Sequence, residues 1–364
     1  MWVIPVKLRA VPQTVPAMSP RRPTVVKNVQ VTKHYDVVGI GHALVDVLAP
    51  VDEQFLVDQG LVRGTMHLID EARADSLYEA MGASREVSGG CAASTVVGAI
   101  ACGGTGAFMG TIADDRLGES FTADLMKAGV EARTQIRDEV GTGRSLILIS
   151  SDGERTMNTF LGAAASVGPA VEDDDLLREA KIVFIEAYVL DSLYTAESLI
   201  ALGERVRSFG AKLAISLSDP FCVERHRDAL LEFLEKGADI CIGNEQEIRA
   251  LFNTHDVDDG LAAAIAMCDV VSVTCGSRGS IVASENERHH VDAVTVDVVD
   301  TTGAGDVYAS GFLYGLSQGW DLQRAGRMGS AAAAAVITRV GARVESPITE
   351  PSLAEPPLAE PHSN

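Results

Sequence analysis

Apolar, β-branched segments alternate with amphipathic segments along most of this 364-residue chain. The apolar segments, each of strand length, occupy residues 35–41, 106–112, 182–185, 213–217, 240–242 and 270–275. The amphipathic segments occupy residues 92–101, 118–128, 195–209, 229–236 and 245–252, and a late helical block follows at 306–316 and 321–338. Strands that alternate with helices in this way pair in parallel, and the helices cover both faces of the sheet. The pattern therefore predicts an α/β fold with a central, mostly parallel sheet between helices.

Two segments, 45–70 and 142–163, interrupt this alternation and have the pattern of strand pairs joined by turns. Asp152-Gly153 is a hairpin signal between the runs 146–150 and 155–160. We expect the two segments to form a small antiparallel sheet. This sheet would project as a lid from a main domain that spans residues 35–345.

The two ends of the chain differ in composition from the domain between them. Residues 1–34 contain six lysines and arginines, five prolines and no acidic residue. The prolines interrupt every apolar run that a secretory signal would need. We therefore expect a disordered basic tail at 1–34 and a flexible Pro/Glu-rich tail at 346–364, where Ala-Glu-Pro recurs.

The overall charge and the cysteines restrict the class of protein. The formal net charge is −21, and a nucleic-acid surface needs clustered lysine and arginine, so nucleic-acid partners are disfavoured. No uninterrupted apolar run reaches the ~18 residues that a membrane span needs. The six cysteines lack the CxxC spacing of zinc and redox sites, which favours free thiols in a reducing cytoplasm. These features predict a cytoplasmic protein without membrane segments.

The strongest functional signal is Asp-Thr-Thr-Gly-Ala-Gly-Asp at residues 300–306, directly before a helical run. The small residues Gly303, Ala304 and Gly305 allow a tight turn whose N–H groups converge at a helix start, a geometry that binds anions. A carboxylate there opposes phosphate binding unless it has a chemical task, and the natural task is to accept a proton from an attacking hydroxyl. Asp306 is therefore a candidate catalytic base. The alternative is a glycine-containing loop in which Asp306 caps the helix.

The 300–306 sequence resembles the second signature of the ribokinase-like, or PfkB, carbohydrate kinase family. Ser-Gly-Gly-Cys-Ala-Ala-Ser at 88–94 resembles the first signature, and the similarity extends over residues 36–345. Within the family, the segments 39–46 and 152–157 are similar to the adenosine kinase-like branch. The resemblance implies a ribokinase-like fold and the ATP-dependent phosphorylation of a hydroxyl group on a nucleoside or sugar.

The resemblance also implies a substrate site around the first signature. Asp46 matches a carboxylate that binds two sugar hydroxyls, and a carboxylate suits this task because it can accept from both. Gly89 and Gly90 would let the backbone approach the sugar closely, although a simple helix-start turn is the alternative. Ser94 stands where the family pattern usually has an asparagine that contacts the sugar. This departure leaves the exact substrate open.

Two further motifs match the ATP side of the family's site. Asn244 and Glu247 resemble its NxxE motif, and their spacing places them on one face of a helix start. Their oxygen atoms could hold Mg²⁺ through water beside ATP, whereas the alternative is a solvated acidic helix start favoured by the helix dipole. Thr274, Gly276 and Gly279 resemble the ATP-side turn after a strand, for which a plain hairpin turn is the alternative.

The remaining site predictions concern the lid and the nucleobase. Arg155 lies in the lid segment, and its guanidinium matches phosphate geometry, so it could move onto the transferring group. An exposed hairpin arginine is the alternative. Met157, Tyr188 and Phe221 align with apolar positions that hold a nucleobase in the family, although ordinary core packing would also account for each of them.

The resemblance thus implies an ATP- and Mg²⁺-dependent kinase for a small-molecule substrate, with adenosine favoured, whose oligomeric state, monomer or homodimer, stays open. A sugar kinase of the ribokinase or fructokinase type and a non-catalytic nucleotide-binding homologue are the alternatives. A dinucleotide fingerprint at 39–44 is disfavoured because Leu44 replaces its third glycine. The P-loop sequence, the DFG motif of protein kinases and the HExxH helix are absent from the chain.

Overall fold

The computed structural model describes residues 33–339, 341, 343–344 and 347–349. The predicted tails at 1–34 and 346–364 therefore lie outside the described residues except near their inner ends. At both inner ends, hydrogen bonds hold the chain against the domain. The Nζ atom of Lys33 donates to two backbone carbonyls at 2.8 Å, and the buried Ile348 donates its N–H to a third at 2.8 Å. The folded domain thus extends slightly beyond the predicted span at each end.

The described residues form strands and helices whose bounds are as follows. The strands are β1 (Tyr35–Ile40), β2 (Leu44–Pro50), β3 (Met66–Leu68), β4 (Arg85–Gly89), β5 (Gly106–Ile112), β6 (Glu131–Ile136), β7 (Gly143–Ile149), β8 (Arg155–Phe160), β9 (Ala180–Glu186), β10 (Lys212–Ser216), β11 (Ile240–Asn244), β12 (Val270–Thr274), β13 (Ser280–Ala283) and β14 (Arg288–Val291). The α-helices are α1 (Glu53–Asp58), α2 (Glu71–Met81), α3 (Cys91–Ala101), α4 (Arg116–Lys127), α5 (Asp174–Glu179), α6 (Ala196–Ser208), α7 (Pro220–Lys236), α8 (Glu245–Phe252), α9 (Val257–Ile265), α10 (Ala304–Ser317) and α11 (Leu322–Ile337). Within the described part of the chain, no helix is both long enough and apolar enough to cross a bilayer.

Nine strands form the main sheet, in the order β14-β13-β12-β11-β10-β9-β1-β5-β6. The pairs from β12 to β6 are parallel, and the strands β13 and β14 add antiparallel pairs at one edge. Central strand β1 places Val37, Val38 and Ile40 in the core with no exposed surface, as expected for a sheet covered on both faces. The predicted mostly parallel sheet between helices is confirmed.

A second sheet of five strands, in the order β3-β8-β7-β2-β4, corresponds to the predicted lid. The prediction that this sheet is antiparallel is wrong, because β2 pairs in parallel with β7 and β3 pairs in parallel with β8, so the sheet is mixed. Strands β7 and β8 make the predicted antiparallel hairpin, with Ile149 opposite Arg155. The segment 45–70 is more than a strand pair, because helix α1 lies between β2 and β3. Asp52 starts that helix by accepting a hydrogen bond from the N–H of Phe55. Strand β4 also joins this sheet, so the lid reaches the first signature, beyond the limits predicted from the sequence.

Helices α1 and α2 cover one face of the lid sheet. Leu56 and Leu77 of these helices pack with Val47, Leu146 and Leu148 of the strands, and all five side chains are buried. Because side chains alternate along a strand, the residues between these positions point to the opposite face. That opposite face is turned toward the main sheet.

The carboxyl ends of β1, β9 and β11 meet at the edge of the main sheet that faces the lid. Helices α3 and α10 begin at the same edge. The hydroxyl of Thr95 in α3 donates to the backbone carbonyl of Asp306 in α10 at 3.2 Å, which keeps the two helix starts side by side. Ligands of open α/β sheets bind at this edge, so the fold places both signatures where a site is expected.

Candidate active site

A cleft of about 370 Å³ lies between the lid sheet and the carboxyl ends of the main-sheet strands, and we call it the lid cleft. Most of the predicted site residues line it: Asp46, Gly90, Ser94, Arg155, Met157, Tyr188, Asn244, Glu247, Gly303, Ala304, Gly305 and Asp306. These residues come from both sheets and from the starts of α3, α8 and α10. The fold therefore gathers in one place residues that are widely separated along the chain.

Asp46 reaches the lid cleft from strand β2. Its carboxylate packs against Gly89 of the neighbouring strand, where a Cβ atom would collide with the carboxylate oxygens. Gly90 follows with a φ of 87°, a left-handed conformation that favours glycine. Burial raises the pKa of Asp46 to about 7, and the positive charge of Arg343 opposes this rise. The two glycines thus serve the close packing of the turn around Asp46.

Asp306 lies in the first turn of α10. The N-cap position of this helix is occupied by Gly303, which has a φ of 70°, so helix capping does not account for Asp306. Burial raises the pKa of Asp306 to about 6, while a hydrogen bond with the Cys91 thiol and the positive charge of Arg343 lower it. A carboxylate with this pKa is ionised at neutral pH and basic enough to take a proton efficiently.

Two buried polar atoms near the start of α10 lack a hydrogen-bond partner among the described residues. They are Nη1 of Arg155 and Oγ1 of Thr302, and both residues line the lid cleft. The other terminal nitrogen of Arg155 pairs with Asp300, which also accepts the N–H of Thr302 at 2.9 Å. Buried polar groups are normally bonded, so these two atoms point to a ligand that brings acceptor oxygens.

Asn244 and Glu247 bond each other at the start of α8. The Asn244 side-chain oxygen accepts the N–H of Glu247 at 2.9 Å, and the Glu247 carboxylate accepts the backbone N–H of Asn244 at 2.8 Å and its side-chain amide at 2.6 Å. Glu247 is only 5% exposed, so this is not the solvated helix start considered above. Burial raises its pKa to about 7. The pair presents oxygen atoms to the lid cleft in a fixed orientation.

A second cleft, of about 560 Å³, lies beside the turn between β12 and β13, and we call it the hairpin cleft. It is lined by three residues predicted on the ATP side: Thr274, Gly276 and Gly279. Asn244, predicted for the same side, lines the lid cleft instead. The two clefts share Thr301, Ala304 and Gly305 as lining residues. They therefore meet at the start of α10.

The structure does not bring Phe221 to the lid cleft. Helix α7 starts directly after its Asp219 cap, and its buried face begins with Cys222 and Val223, so Phe221 lies on the outer side and is 55% exposed. This position gives no support to its predicted contact with a nucleobase. Tyr188 does line the cleft, where its hydroxyl donates to Asp219.

Glu186, at the end of β9, was not predicted from the sequence. Its carboxylate accepts the N–H of His42 at 2.9 Å and the N–H of Ala92 at 2.7 Å. It therefore joins the turn after β1 to the start of α3, and burial raises its pKa to about 7. One sequence signal could have identified Glu186, because it is a carboxylate directly after an apolar segment. Ligands of such sheets bind at the carboxyl ends of the strands.

Comparisons with known proteins agree with this arrangement. A probable sugar kinase from Rhizobium etli is 38% identical, covers 87% of this chain and 97% of its own, and superimposes with a TM-score of 0.83. An adenosine kinase from Sinorhizobium meliloti is 40% identical over 86% of this chain and 97% of its own, with a TM-score of 0.82. The adenosine kinase of Saccharomyces cerevisiae is 29% identical and covers 83% of this chain and 94% of its own length.

These structures confirm the predicted ribokinase-like fold. Residues 64–349, which contain both signatures, match the model of the pfkB family of carbohydrate kinases. Since this match covers more than half of the chain, the protein belongs to the pfkB family of carbohydrate kinases.

Proposed function

We propose that this enzyme transfers the γ-phosphoryl group of ATP to the primary hydroxyl of a nucleoside, with adenosine as its substrate. Family membership makes the chain an ATP-dependent phosphotransferase that acts on a hydroxyl group. The proposal rests above all on the meeting of the two clefts at the start of α10. Phosphoryl transfer needs an acceptor and a donor at one anion-binding point, and a helix start supplies such a point.

The apolar wall of the lid cleft favours a nucleoside over a free sugar. The lid sheet and the chain next to it contribute aliphatic side chains to this wall: Leu44, Met66, Ile147, Met157 and Leu161. A free sugar carries hydroxyls on most of its surface, and aliphatic side chains would leave them unpaired. A nucleobase instead offers flat faces that pack well on apolar groups. The similarity to two adenosine kinases supports the same choice.

Each group in the lid cleft then has a chemical role. Asp46 accepts hydrogen bonds from two ribose hydroxyls. Asp306 accepts the proton of the primary hydroxyl while that oxygen attacks the γ-phosphorus of ATP and ADP leaves. The N–H groups of 303–306 and the guanidinium of Arg155 stabilise the charge on the transferred group. Closure of the lid would exclude water and so limit wasteful ATP hydrolysis.

The oxygen atoms at the start of α8 suit Mg²⁺. Asn244 and Glu247 offer amide and carboxylate oxygens, which are the ligands that this ion takes in proteins. Because each carboxylate oxygen of Glu247 already accepts an N–H group, we expect the pair to hold water molecules around the ion. Bound there, Mg²⁺ would supply positive charge to the phosphates of ATP.

The Glu247→Gln variant tests the metal role. We expect the Mg²⁺ concentration for half-maximal rate to rise about tenfold, because a charged acceptor is replaced by an amide that donates where a carboxylate accepts. Initial rates of ADP release, measured against Mg²⁺ at fixed ATP and adenosine, give this value. The exposed Glu224→Gln, on α7, is the matched control and should behave like the parent. An unchanged Mg²⁺ dependence in Glu247→Gln would leave the pair as a helix cap alone.

A substrate panel tests the choice of acceptor. We expect adenosine to be phosphorylated faster than inosine, ribose and fructose. We also expect kcat/KM for 2′-deoxyadenosine to be about tenfold lower than for adenosine, because Asp46 loses one of its two partners. Coupled ADP detection with each compound measures these rates. Faster turnover of ribose or fructose than of every nucleoside would favour the sugar-kinase alternative, and no turnover with any acceptor would favour the non-catalytic one.

The Ser94→Asn variant tests whether the serine at this position changes the choice of acceptor. Ser94 lines the lid cleft at the start of α3 and is buried. If its short side chain merely weakens contact with the ribose, the longer amide of asparagine should maintain or raise kcat/KM for adenosine. A loss of adenosine activity would instead indicate a pocket shaped around serine for a different acceptor.

We further propose that the enzyme works in the cytoplasm. All six cysteines are free thiols in the structure, and none forms a disulfide. Free thiols are typical of a reducing compartment. The use of ATP as phosphoryl donor fits the same location.

A further inference from the structure

We propose that Arg343, in the segment that follows α11, is a positioning residue of the substrate site. Its guanidinium fixes the turn that carries Gly89 and Gly90, and through that turn it holds the Asp46 side of the lid cleft. The inference deepens the proposed function and rests on it, because it concerns the same site. Neither signature contains this residue, which lies 255 positions from its main partner, Ser88.

The guanidinium binds both ends of the first-signature turn. Its Nε donates to the backbone carbonyl of Ser88 at 2.7 Å, and its Nη2 donates to the Ser88 hydroxyl at 2.9 Å. Its Nη1 lies 3.5 Å from the carbonyl of Ala93 in the first turn of α3. One rigid fork therefore spans the end of β4 and the start of α3. A lysine has a single terminal nitrogen and cannot hold the two ends in this way.

The position of this turn controls the surroundings of Asp46. In the pairing of β2 with β4, Ser88 lies opposite Val45 and Gly89 lies opposite Leu44. The Asp46 carboxylate packs so closely on Gly89 that no Cβ would fit between them. A displacement of Ser88 would therefore move the surface against which Asp46 rests. Arg343 thus acts on the substrate through the turn, without lining the cleft itself.

The charge of Arg343 serves the same site. Burial lowers its pKa to about 10, while the negative charges of Asp46, Asp124 and Asp306 oppose this fall, so Arg343 stays positive at neutral pH. A buried charge is costly unless opposite charges compensate it, and these carboxylates do so. In return, Arg343 favours the ionised forms of Asp46 and Asp306. Arg155 also favours ionised Asp46, whereas Asp306 opposes it.

Other titratable groups around Asp306 do not replace this cation. The Cys91 thiol bonds Asp306 but carries no positive charge. Glu186 and Glu247 are buried carboxyls whose pKa values are raised partly by the charge of Asp306, so they repel it when ionised. Loss of the Arg343 charge should therefore raise the pKa of both Asp46 and Asp306.

The test compares Arg343→Gln and Arg343→Lys in the full chain. For Arg343→Gln we expect KM for adenosine to rise about tenfold, the effect of losing hydrogen bonds from a charged group, with KM for ATP within about twofold of the parent. We also expect the acid limb of the pH profile, which is the fall of kcat/KM at low pH, to shift to higher pH by about one unit, because both carboxylates become harder to ionise. Arg343→Lys keeps the charge and loses the fork. We expect it to raise KM for adenosine while leaving the acid limb in place.

The matched control is Arg133→Gln, which removes an exposed arginine paired with Glu131 at the far edge of the main sheet. It should leave both KM values and the pH profile unchanged. If Arg343→Gln melts like the parent and keeps the parental KM and acid limb, the inference is overturned. If that variant does not fold, Arg343→Lys decides, and a parental KM for adenosine in the lysine variant overturns the inference.

Failure of the proposed function gives a different result. A parent that phosphorylates a sugar and no nucleoside would show that adenosine is the wrong substrate. The comparison of the two Arg343 variants is then made with that sugar, and the same shifts in KM and acid limb are expected. A parent without ATP turnover in the presence of any acceptor would overturn both the proposed function and this inference.

Discussion

The Asp306→Asn variant is expected to lower kcat by at least about a hundredfold, the lower range for a positioned general base. Asparagine has nearly the same size and cannot take the proton of the attacking hydroxyl. The start of α10 should stay intact, because Gly303 and not Asp306 holds the N-cap position. ATP binding should therefore change little. Steady-state ADP release gives kcat, and calorimetric titration with ATP gives the affinity.

Two further measurements make this result specific. Asp321→Asn is a matched control, because Asp321 caps the neighbouring helix α11 by accepting the N–H of Arg324 at 2.7 Å, and asparagine caps helices equally well. In the parent, kcat/KM should fall as the pH drops through about 7 and 6, the pKa values of Asp46 and Asp306, since both act as ionised carboxylates. Turnover of Asp306→Asn within a few-fold of the parent would remove Asp306 from the role of base.

Local sequence signals were sufficient to predict an element wherever the residues that start and end it lie within it or next to it. Helix α8 matches its predicted range, 245–252, because Asn244 and Glu247 form a capping box at one end and Asn253 takes the left-handed conformation at the other. The start of α10 was predicted at 306, two residues after its observed start at Ala304, from small residues and a carboxylate that are adjacent in the chain. Helix α7 was predicted only from 229, although Asp219 followed by proline already marks its start.

Contacts between distant residues could not be predicted in the same way. The ion pair of Arg155 with Asp300 joins residues 145 positions apart, and only the fold brings the lid hairpin over the second signature. Arg343 lies close to a region whose composition predicted a flexible tail, yet it bonds Ser88. Phe221 is the converse case, since this apolar side chain was expected at the site and is instead 55% exposed and outside the lining of the lid cleft. Local pattern identifies which chemistry is available, whereas tertiary packing decides which groups meet.

Arg155 leads to the second large expected effect. The Arg155→Met variant is expected to lower kcat about a hundredfold, the range seen when one donor to a transition-state charge is removed. The ion pair with Asp300 holds one side of the guanidinium, while Nη1 is buried and has no partner among the described residues. Arg155 is one of the residues that line the lid cleft. A phosphoryl group at the start of α10 would supply that partner. Methionine keeps the length and the apolar stem of the side chain but has no donor.

The same pair could instead be a purely structural link between the lid and the second signature. Asp300→Asn separates the two possibilities, since it weakens the link and leaves the guanidinium in place. A structural link predicts similar losses in both variants. A role in the transition state predicts a much larger fall in kcat for Arg155→Met, with an intermediate value for Arg155→Lys, because lysine retains the charge without the fork.

Arg63→Met is the matched control, since Arg63 is another lid arginine, paired with Glu53 and Glu154 at the surface, and its loss should leave kcat unchanged. Equal losses in Arg155→Met and Asp300→Asn would show that Arg155 only holds the lid, and the stabilisation of the transferred group would then fall to the N–H groups of 303–306.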